Sequence, residues 1–315
     1  IANGLKKKIK SELEKLLKDK REDYEKFFKT FGLSLKYGIY ESYGMEAEFL
    51  KFHHSYDMID LIIAPSQFMK NKLDEGGFAG KTVAMQNFLT DSQMAMGARV
   101  ANTHKFEDTK AGARPYFLFF GRLSKEKGIL TLVKAFLQAA GLAQGSANAQ
   151  SDDQDARVIP DVWDLHIVGD GPERGAIEQL IASAGPQAAS RIHLLGYKSG
   201  EDLQREVGNA RFTVLSSEWR ENMPYSGLES LAAQTPIIGA RIGGIPELVE
   251  EGKTGVTFES GNAVDLSNSM LKCAAVSALN YSAMQHSCRE YVNARCLQNE
   301  YALALVDLYE RVIQR

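Results

Sequence analysis

Two carboxylates eight positions apart, Glu221 and Glu229, stand in residues 218–247, EWRENMPYSGLESLAAQTPIIGARIGGIPE. A carboxylate suits a diol because both its oxygens accept hydrogen bonds, and a pair can bridge two parts of one ligand. Pro224 and Gly227 lie between the two acids, and a helix-compatible run, residues 228–233, covers the second. A Pro- and Gly-containing loop running into a helix presents backbone N–H groups that favour an anion or a hydroxyl-rich ligand. Residues 236–240 read as a buried strand, and Arg241-Ile242-Gly243-Gly244 as a second turn in which backbone can approach a ligand closely. The competing reading is two surface acids at a loop–helix junction.

These residues need a frame, and from Pro115 the chain supplies one. Residues 116–120 form an apolar strand, Gly121-Arg122-Leu123-Ser124 the turn after it, and residues 129–140 a helix. Residues 163–168 are the next strand, followed by Gly169-Asp170-Gly171-Pro172 and a helix from Glu173. Residues 192–195 lead into Gly196-Tyr197-Lys198, and residues 212–215 into the glutamate stretch. Such alternation predicts an α/β fold, a parallel sheet covered on both faces with ligands at the carboxyl ends of its strands.

The glutamates at 221 and 229, followed by Gly243-Gly244-Ile245-Pro246-Glu247, resemble the donor-site signature of the retaining glycosyltransferases of family 4. That family has the two-domain GT-B fold, with Rossmann-like halves. The resemblance implies transfer of a sugar from a nucleotide diphosphate sugar to a hydroxyl acceptor, with retention and with neither a cofactor nor an essential metal. A saccharide or lipid-linked saccharide acceptor and a place in polysaccharide biosynthesis go with it. The turn Gly121-Arg122-Leu123-Ser124-Lys125-Glu126-Lys127-Gly128 is similar to the family's diphosphate-binding turn. There Arg122 and Lys127 would neutralise the leaving diphosphate, since pre-positioned cations stabilise developing negative charge. A solvated helix start is the alternative. By the same resemblance Glu229 accepts from the donor ribose, and Glu221 lies near the donor sugar and its reacting centre. Asn222-Met223-Pro224-Tyr225-Ser226 replaces the commoner Gly-Phe-Gly pattern between them, so which backbone amides reach the sugar stays open. Gly121, Gly169, Gly171, Tyr197, Gly243 and Gly244 complete the implied donor-binding set. At 232–234, Ala-Ala-Gln stands where a Gly is frequent, at a helix C-terminus.

A nicotinamide-binding fold fits less well, because no G-x-G-x-x-G follows the first strand. Two alternatives to a transferase stay open, a GT-B nucleotide-sugar epimerase and a nucleotide-sugar-binding fragment without turnover. How much of an acceptor domain is present discriminates them. Met45 to Lys110 is a stretch of only 66 residues, against the roughly 100–150 an independently folded α/β half needs. The expectation is a complete donor half and a partial acceptor half.

The totals exclude other classes. The chain has 315 residues, 44% hydrophobic and 24% charged, with a formal net charge of −3, which is ordinary for a globular protein and gives no reason to expect nucleic acid. Cys273, Cys288 and Cys296 lie outside any CxxC or Cys/His metal spacing, which predicts a reducing compartment and no structural zinc. No apolar run approaches the roughly 20 residues that span a bilayer, and the Lys-rich start does not read as a signal peptide. A cytoplasmic location is expected, with peripheral attachment at the inner membrane face as its variant.

Residues 1–30 place Leu5, Ile9, Leu13, Leu16 and Leu17 on one helical face, with ten Lys/Arg against six Asp/Glu. Residues 22–40, EDYEKFFKTFGLSLKYGIY, are similar to a stretch of the middle domain of the ninety-kilodalton heat-shock chaperones. No ATP-binding motif accompanies them, so a fusion, or else a chance likeness, is read for residues 1–44. Residues 49–72 resemble the last βα unit of the glycosyltransferase acceptor side. There 61–64 is a buried strand, Ser66 a cap, and Phe68 and Leu73 the apolar face of the next helix. Residues 81–91 resemble the strand and Asn-Phe loop before the interdomain linker, which is read at 92–114. His53 and His54 read as surface residues. Residues 141–161, without aromatics, read as a surface insertion. Residues 299–314 are amphipathic, with Tyr301, Leu305, Leu308, Tyr309 and Val312 on one side. Three parts follow: a helical segment at 1–44, a partial acceptor-side domain and linker at 45–110, and a donor-binding domain with C-terminal helices at 111–315.

Overall fold

Six short strands, each continuously apolar or nearly so, make the sheet that organises the molecule. They are β3 (Tyr116–Phe120), β4 (Asp164–Val168), β5 (Ile192–Gly196), β6 (Phe212–Leu215), β7 (Ile237–Ala240) and β8 (Gly255–Phe258). All pair in parallel, in the order β5-β4-β3-β6-β7-β8. Every residue of β3, β6 and β7 is buried, as parallel strands covered on two faces must be. The structure is a computed structural model and describes residues 59–103, 114–142 and 163–314, which lie in one compact unit.

Among the described residues, further elements precede, connect and follow these strands. Before them come β1 (Ile62–Ala64), α1 (Gln67–Leu73), β2 (Thr82–Ala84) and α2 (Asp91–Thr103). Between and after them come α3 (Ile129–Ala139), α4 (Arg174–Ala184), α5 (Gly200–Asn209), α6 (Tyr225–Ala232), α7 (Ala263–Ala274), α8 (Ala278–Arg295) and α9 (Gln298–Ile313). Phe117, Phe119, Leu165 and Ile167 project into the large core with Ile129, Leu132, Phe136 and Ile177. The alternate residues Tyr116, Leu118 and Phe120 pack in a smaller cluster with Val207 of α5 and Ala233. This period-two division follows from strand geometry. Arg191, almost wholly buried before β5, donates from Nε and Nη2 to the Trp163 carbonyl at 2.9 and 2.8 Å, and so ties two strand starts together.

Several expectations are corrected. Residues 92–103, read as linker, belong to α2. Thr90 and Gln93 cap its start reciprocally, Thr90 N–H to Gln93 Oε1 at 3.0 Å and Gln93 N–H to Thr90 Oγ1 at 3.3 Å, a Thr-x-x-Gln capping box. Helix α6 begins at Tyr225, three residues before the expected run, because Pro224 supplies an extended N-cap. Glu229 is therefore in its second turn. In β1 only Ala64 is buried, since the two-stranded β1-β2 sheet covers less than a full layer. Ser66 caps α1 as read, accepting from Met69 N–H at 3.1 Å. On α9 the residues Tyr301, Leu305, Leu308 and Val312 are half-buried, but Tyr309 is 61% exposed, one step off that face. Phe88 meets the Tyr301 ring at 4.6 Å, and the Leu89 N–H donates to the Cys296 carbonyl at 2.9 Å. The three cysteines are free and buried, and burial holds the Cys296 thiol at about 12. Among the described residues no helix is long and apolar enough to cross a membrane. The chaperone-like segment, the His53-His54 pair and residues 143–161 of the insertion lie outside the described residues.

Candidate functional site

Strand order reverses between β3 and β6, since the chain winds outward from β3 on one side and from β6 on the other. At such a switch point the two carboxyl-end loops part and leave a crevice. The turn after β3 carries Gly121 to Gly128, and the loop after β6 carries Ser216 to Pro224.

Lys127 and Glu221 meet across this switch point. The ammonium pairs with Glu221 Oε1, with the lysine side chain 31% exposed and the glutamate 18%. Ser217 Oγ donates to the same carboxylate oxygen at 3.0 Å. Arg122 is exposed on the same turn. Between the two cations Glu126 is held below the ordinary carboxylate range, first by the Ser124 hydroxyl and then by the charges of Arg122 and Lys127.

The loops are fastened to each other mainly through their backbones. The carbonyl of Glu126 accepts from Glu218 N–H at 2.9 Å, Ser216 Oγ donates to the Lys127 carbonyl at 2.8 Å, and Gly244 N–H donates to the Glu221 carbonyl at 2.7 Å. The glycines make this approach sterically feasible. A Cβ on Gly243, whose φ is +60°, would stand 2.1 Å from the Glu221 oxygen, and one on Gly244 would stand 1.7 Å from that of Asn222. Gly169 and Gly171 likewise abut the carbonyls of Gly121 and Leu123. These glycines thus have a role in loop packing whatever they do for a ligand.

Glu229 lies deeper, half-buried, with Gln93 of α2 donating to Oε1 at 3.5 Å. Burial raises its carboxyl above the ordinary range, and the Gln93 amide opposes that rise. The N–H groups of Tyr225 and Ser226 open α6, where no carbonyl of a preceding turn can satisfy them.

Residues from the β1–α2 region pin the glutamate loop. Ser66 Oγ donates to Asn222 Oδ1 at 2.7 Å, and Asn87 Nδ2 donates to the Met223 carbonyl at 3.1 Å. Glu247 accepts from the backbone N–H groups of Gln67 at 2.8 Å and Phe68 at 2.7 Å, and so caps α1 from 180 residues away. The structure therefore gathers Lys127, Glu221, Asn222, Met223, Gly243 and Gly244 tightly. Tyr197, 79% exposed after β5, stands at the sheet's far edge.

Sequence reasoning missed Ser217, Gln93, Asn87 and the capping role of Glu247. The capping box at Thr90 is a signal that could have placed Gln93 on a helix. Nothing local marks Ser217, whose partner is set by the turn of the loop.

The model of the family Glycosyl transferases group 1 matches residues 100–292. Among solved structures, Anabaena Alr3699/HepE in complex with UDP superposes with a TM-score of 0.69 at 16% identity, covering 86% of this chain and 69% of that one. This likeness is one of fold, the GT-B fold. Among curated relatives, the alpha-D-kanosaminyltransferase of Streptomyces kanamyceticus is 28% identical over 143 residues, 45% of this chain and 32% of that protein. The Chaperone protein HtpG of Clostridium perfringens is 55% identical over 51 residues, 16% of this chain and 8% of the chaperone. The chain thus spans about a third or less of these curated relatives. The family match, by contrast, runs through β3 to β8 and every loop of the crevice, and the chain belongs to the family Glycosyl transferases group 1.

Proposed function

We propose that the crevice between β3 and β6 binds a nucleotide diphosphate sugar, and that the sugar passes to a hydroxyl acceptor with retention at the anomeric carbon. The observation that carries this reading is the Lys127–Glu221 pair. It sets a cation and a carboxylate side by side at the switch point, with a second cation, Arg122, exposed on the same turn. In the transfer the bond from the anomeric carbon to the diphosphate oxygen breaks, a bond to the acceptor oxygen forms, and the acceptor proton passes to the departing diphosphate. Negative charge grows on the departing diphosphate, where Arg122 and Lys127 act without a metal or cofactor. Glu229 takes the ribose diol, Glu221 the donor sugar, and the opening N–H groups of α6 further acceptor atoms of the donor. A saccharide or lipid-linked saccharide is the acceptor class.

The test is a calorimetric titration of the chain with nucleoside diphosphates and their matching nucleosides, beginning with UDP because the Anabaena structure holds it. Losing a hydrogen bond to a charged group costs about 1.5–3 kcal/mol, so Arg122→Ala should weaken diphosphate binding roughly 10- to 100-fold and leave nucleoside binding nearly unchanged. Equal weakening of both ligands would remove the diphosphate assignment. Retention is read separately, from the anomeric configuration of the product by NMR.

A further inference from the structure

A second cluster of chemistry-bearing side chains lies at the other end of the same strands. Asp164 is the first residue of β4 and His166 the third, so both point to one face. His193, on β5, is the registered neighbour of His166. One ring nitrogen from each histidine and a carboxylate oxygen of Asp164 all lie within 4.8 Å of one another. At a strand rise of about 3.3 Å per residue, Asp164 is on the order of 13 Å from the end of β4, where the donor-side turn begins.

We propose that Asp164, His166 and His193 bind one divalent transition-metal ion of the Zn²⁺ class, with water in the fourth position. One of the three donor separations already matches what such an ion requires, and the third donor lies within 4.8 Å of the other two. His193 Nε2 stands 3.2 Å from Asp164 Oδ2, and two ligands at 2.0–2.1 Å around a tetrahedral zinc are about 3.3 Å apart. Glu206 Oε2 stands 3.3 Å from His166 Nδ1. A proton on Nδ1 donated to that carboxylate leaves Nε2 with its lone pair, the arrangement usual for a ligating histidine. Asp164 is 6% exposed; Arg114 Nε stands 3.0 Å from its other oxygen, Oδ1, as an ion pair whose geometry makes no hydrogen bond, and Oδ2 is the oxygen turned to His193. The Tyr116 ring stacks on His166 at 3.8 Å and fixes its plane, and Tyr116 Oη donates to the Glu206 carbonyl at 2.8 Å. Lys198 pairs with Glu206 Oε1, leaving Oε2 for the histidine. Two imidazoles and one carboxylate suit zinc, cobalt, nickel or copper and not magnesium or calcium. The ion would clip β4 to the edge strand β5.

The experiment uses the untagged full chain, stripped with chelator and titrated with Co²⁺ and Zn²⁺ at neutral pH. The expected result is one Co²⁺ per chain with the intense visible bands of a four-coordinate site, displaced by Zn²⁺. Removing a partner of a ligand costs about 10–100-fold in affinity, so Glu206→Gln should fall in that range, and His166→Ala or His193→Ala should lose more. His53→Ala/His54→Ala should bind as the parent does. Circular dichroism and a thermal melt on the same samples report whether each variant is folded. If the histidine variants have unfolded, the parent chain decides, because an ion bound to the folded state raises Tm with concentration. Absence of binding, absence of a Tm rise, or loss of binding with His53 and His54 instead would overturn the proposal.

Discussion

Lys127 and Glu221, 94 residues apart in the chain, form an ion pair that closes the crevice between β3 and β6. The pair rests on backbone. Gly128, at φ +62°, lets the β3 turn abut the Ser216 carbonyl, and Gly243 lets the β7 turn abut Glu221. The lysine is thus held beside a carboxylate that, under the proposed function, the donor diphosphate would have to displace or share.

That relationship predicts opposite effects of two substitutions. Glu221→Gln removes a negative charge that competes with the diphosphate for Lys127, so nucleoside diphosphate affinity should rise several-fold while sugar transfer falls. Lys127→Ala should weaken the same ligand roughly 10- to 100-fold. Paired calorimetry of the two variants checks this, and a weaker nucleoside diphosphate complex in Glu221→Gln would mean the carboxylate does not compete.

Glu247 makes a second long-range link, through its two oxygens on the N–H groups of Gln67 and Phe68. A lost N-cap costs about 0.5–2 kcal/mol, and here the acceptor is charged. Glu247→Ala should therefore loosen α1 locally. Amide exchange at residues 69–73 should speed up by about 3- to 30-fold, while exchange in β3 and β6 stays as it was. Uniform acceleration would instead make Glu247 a global support.

Strands were the most legible part of this fold, and the reason is their burial. The parallel strands β3, β6 and β7, packed on both sides, read as unbroken apolar runs. Helix α2 was not legible from apolar pattern, because its stability rests on a capping box and on packing of Gly97 against the Ala232 backbone. The residue types of the crevice were readable from local spacing, but the Lys127–Glu221 contact was not. It depends on which strands become neighbours, and the order reversal is a property of the whole sheet. The same holds for Asp164, His166 and His193, which only strand register brings together.

The C-terminus of α6 offers a stability prediction. Gln234 has a φ of +57° and is the one non-glycine residue with positive φ among the described residues. Its N–H donates to the Leu231 carbonyl at 3.0 Å and that of Thr235 to Ser230 at 2.9 Å, a Schellman termination, whose left-handed position favours glycine. A side chain there costs about 1 kcal/mol or somewhat more, partly offset by the extra freedom glycine gives the unfolded chain. Gln234→Gly should raise stability by about 0.5–1 kcal/mol, read as a higher denaturant midpoint with unchanged slope. A lower midpoint would show that the glutamine side chain makes a compensating contact.

Glu229 should report on both stability and binding. Burial raises its carboxyl above the ordinary range. A carboxyl whose folded pKa exceeds its unfolded one contributes stability that is whole below the unfolded value and is lost as pH rises through the folded value. Glu229→Gln keeps the shape without the titration. The Tm of the variant minus that of the parent should therefore grow from about pH 4 to about pH 7. If the carboxylate also holds the ribose, the variant should bind a ribonucleoside diphosphate several-fold more weakly but lose little for the 2′,3′-dideoxy analogue, which has no diol to give up. A pH-dependent gain in stability with equal losses for both nucleotides would leave Glu229 a buried acid without a ribose to hold.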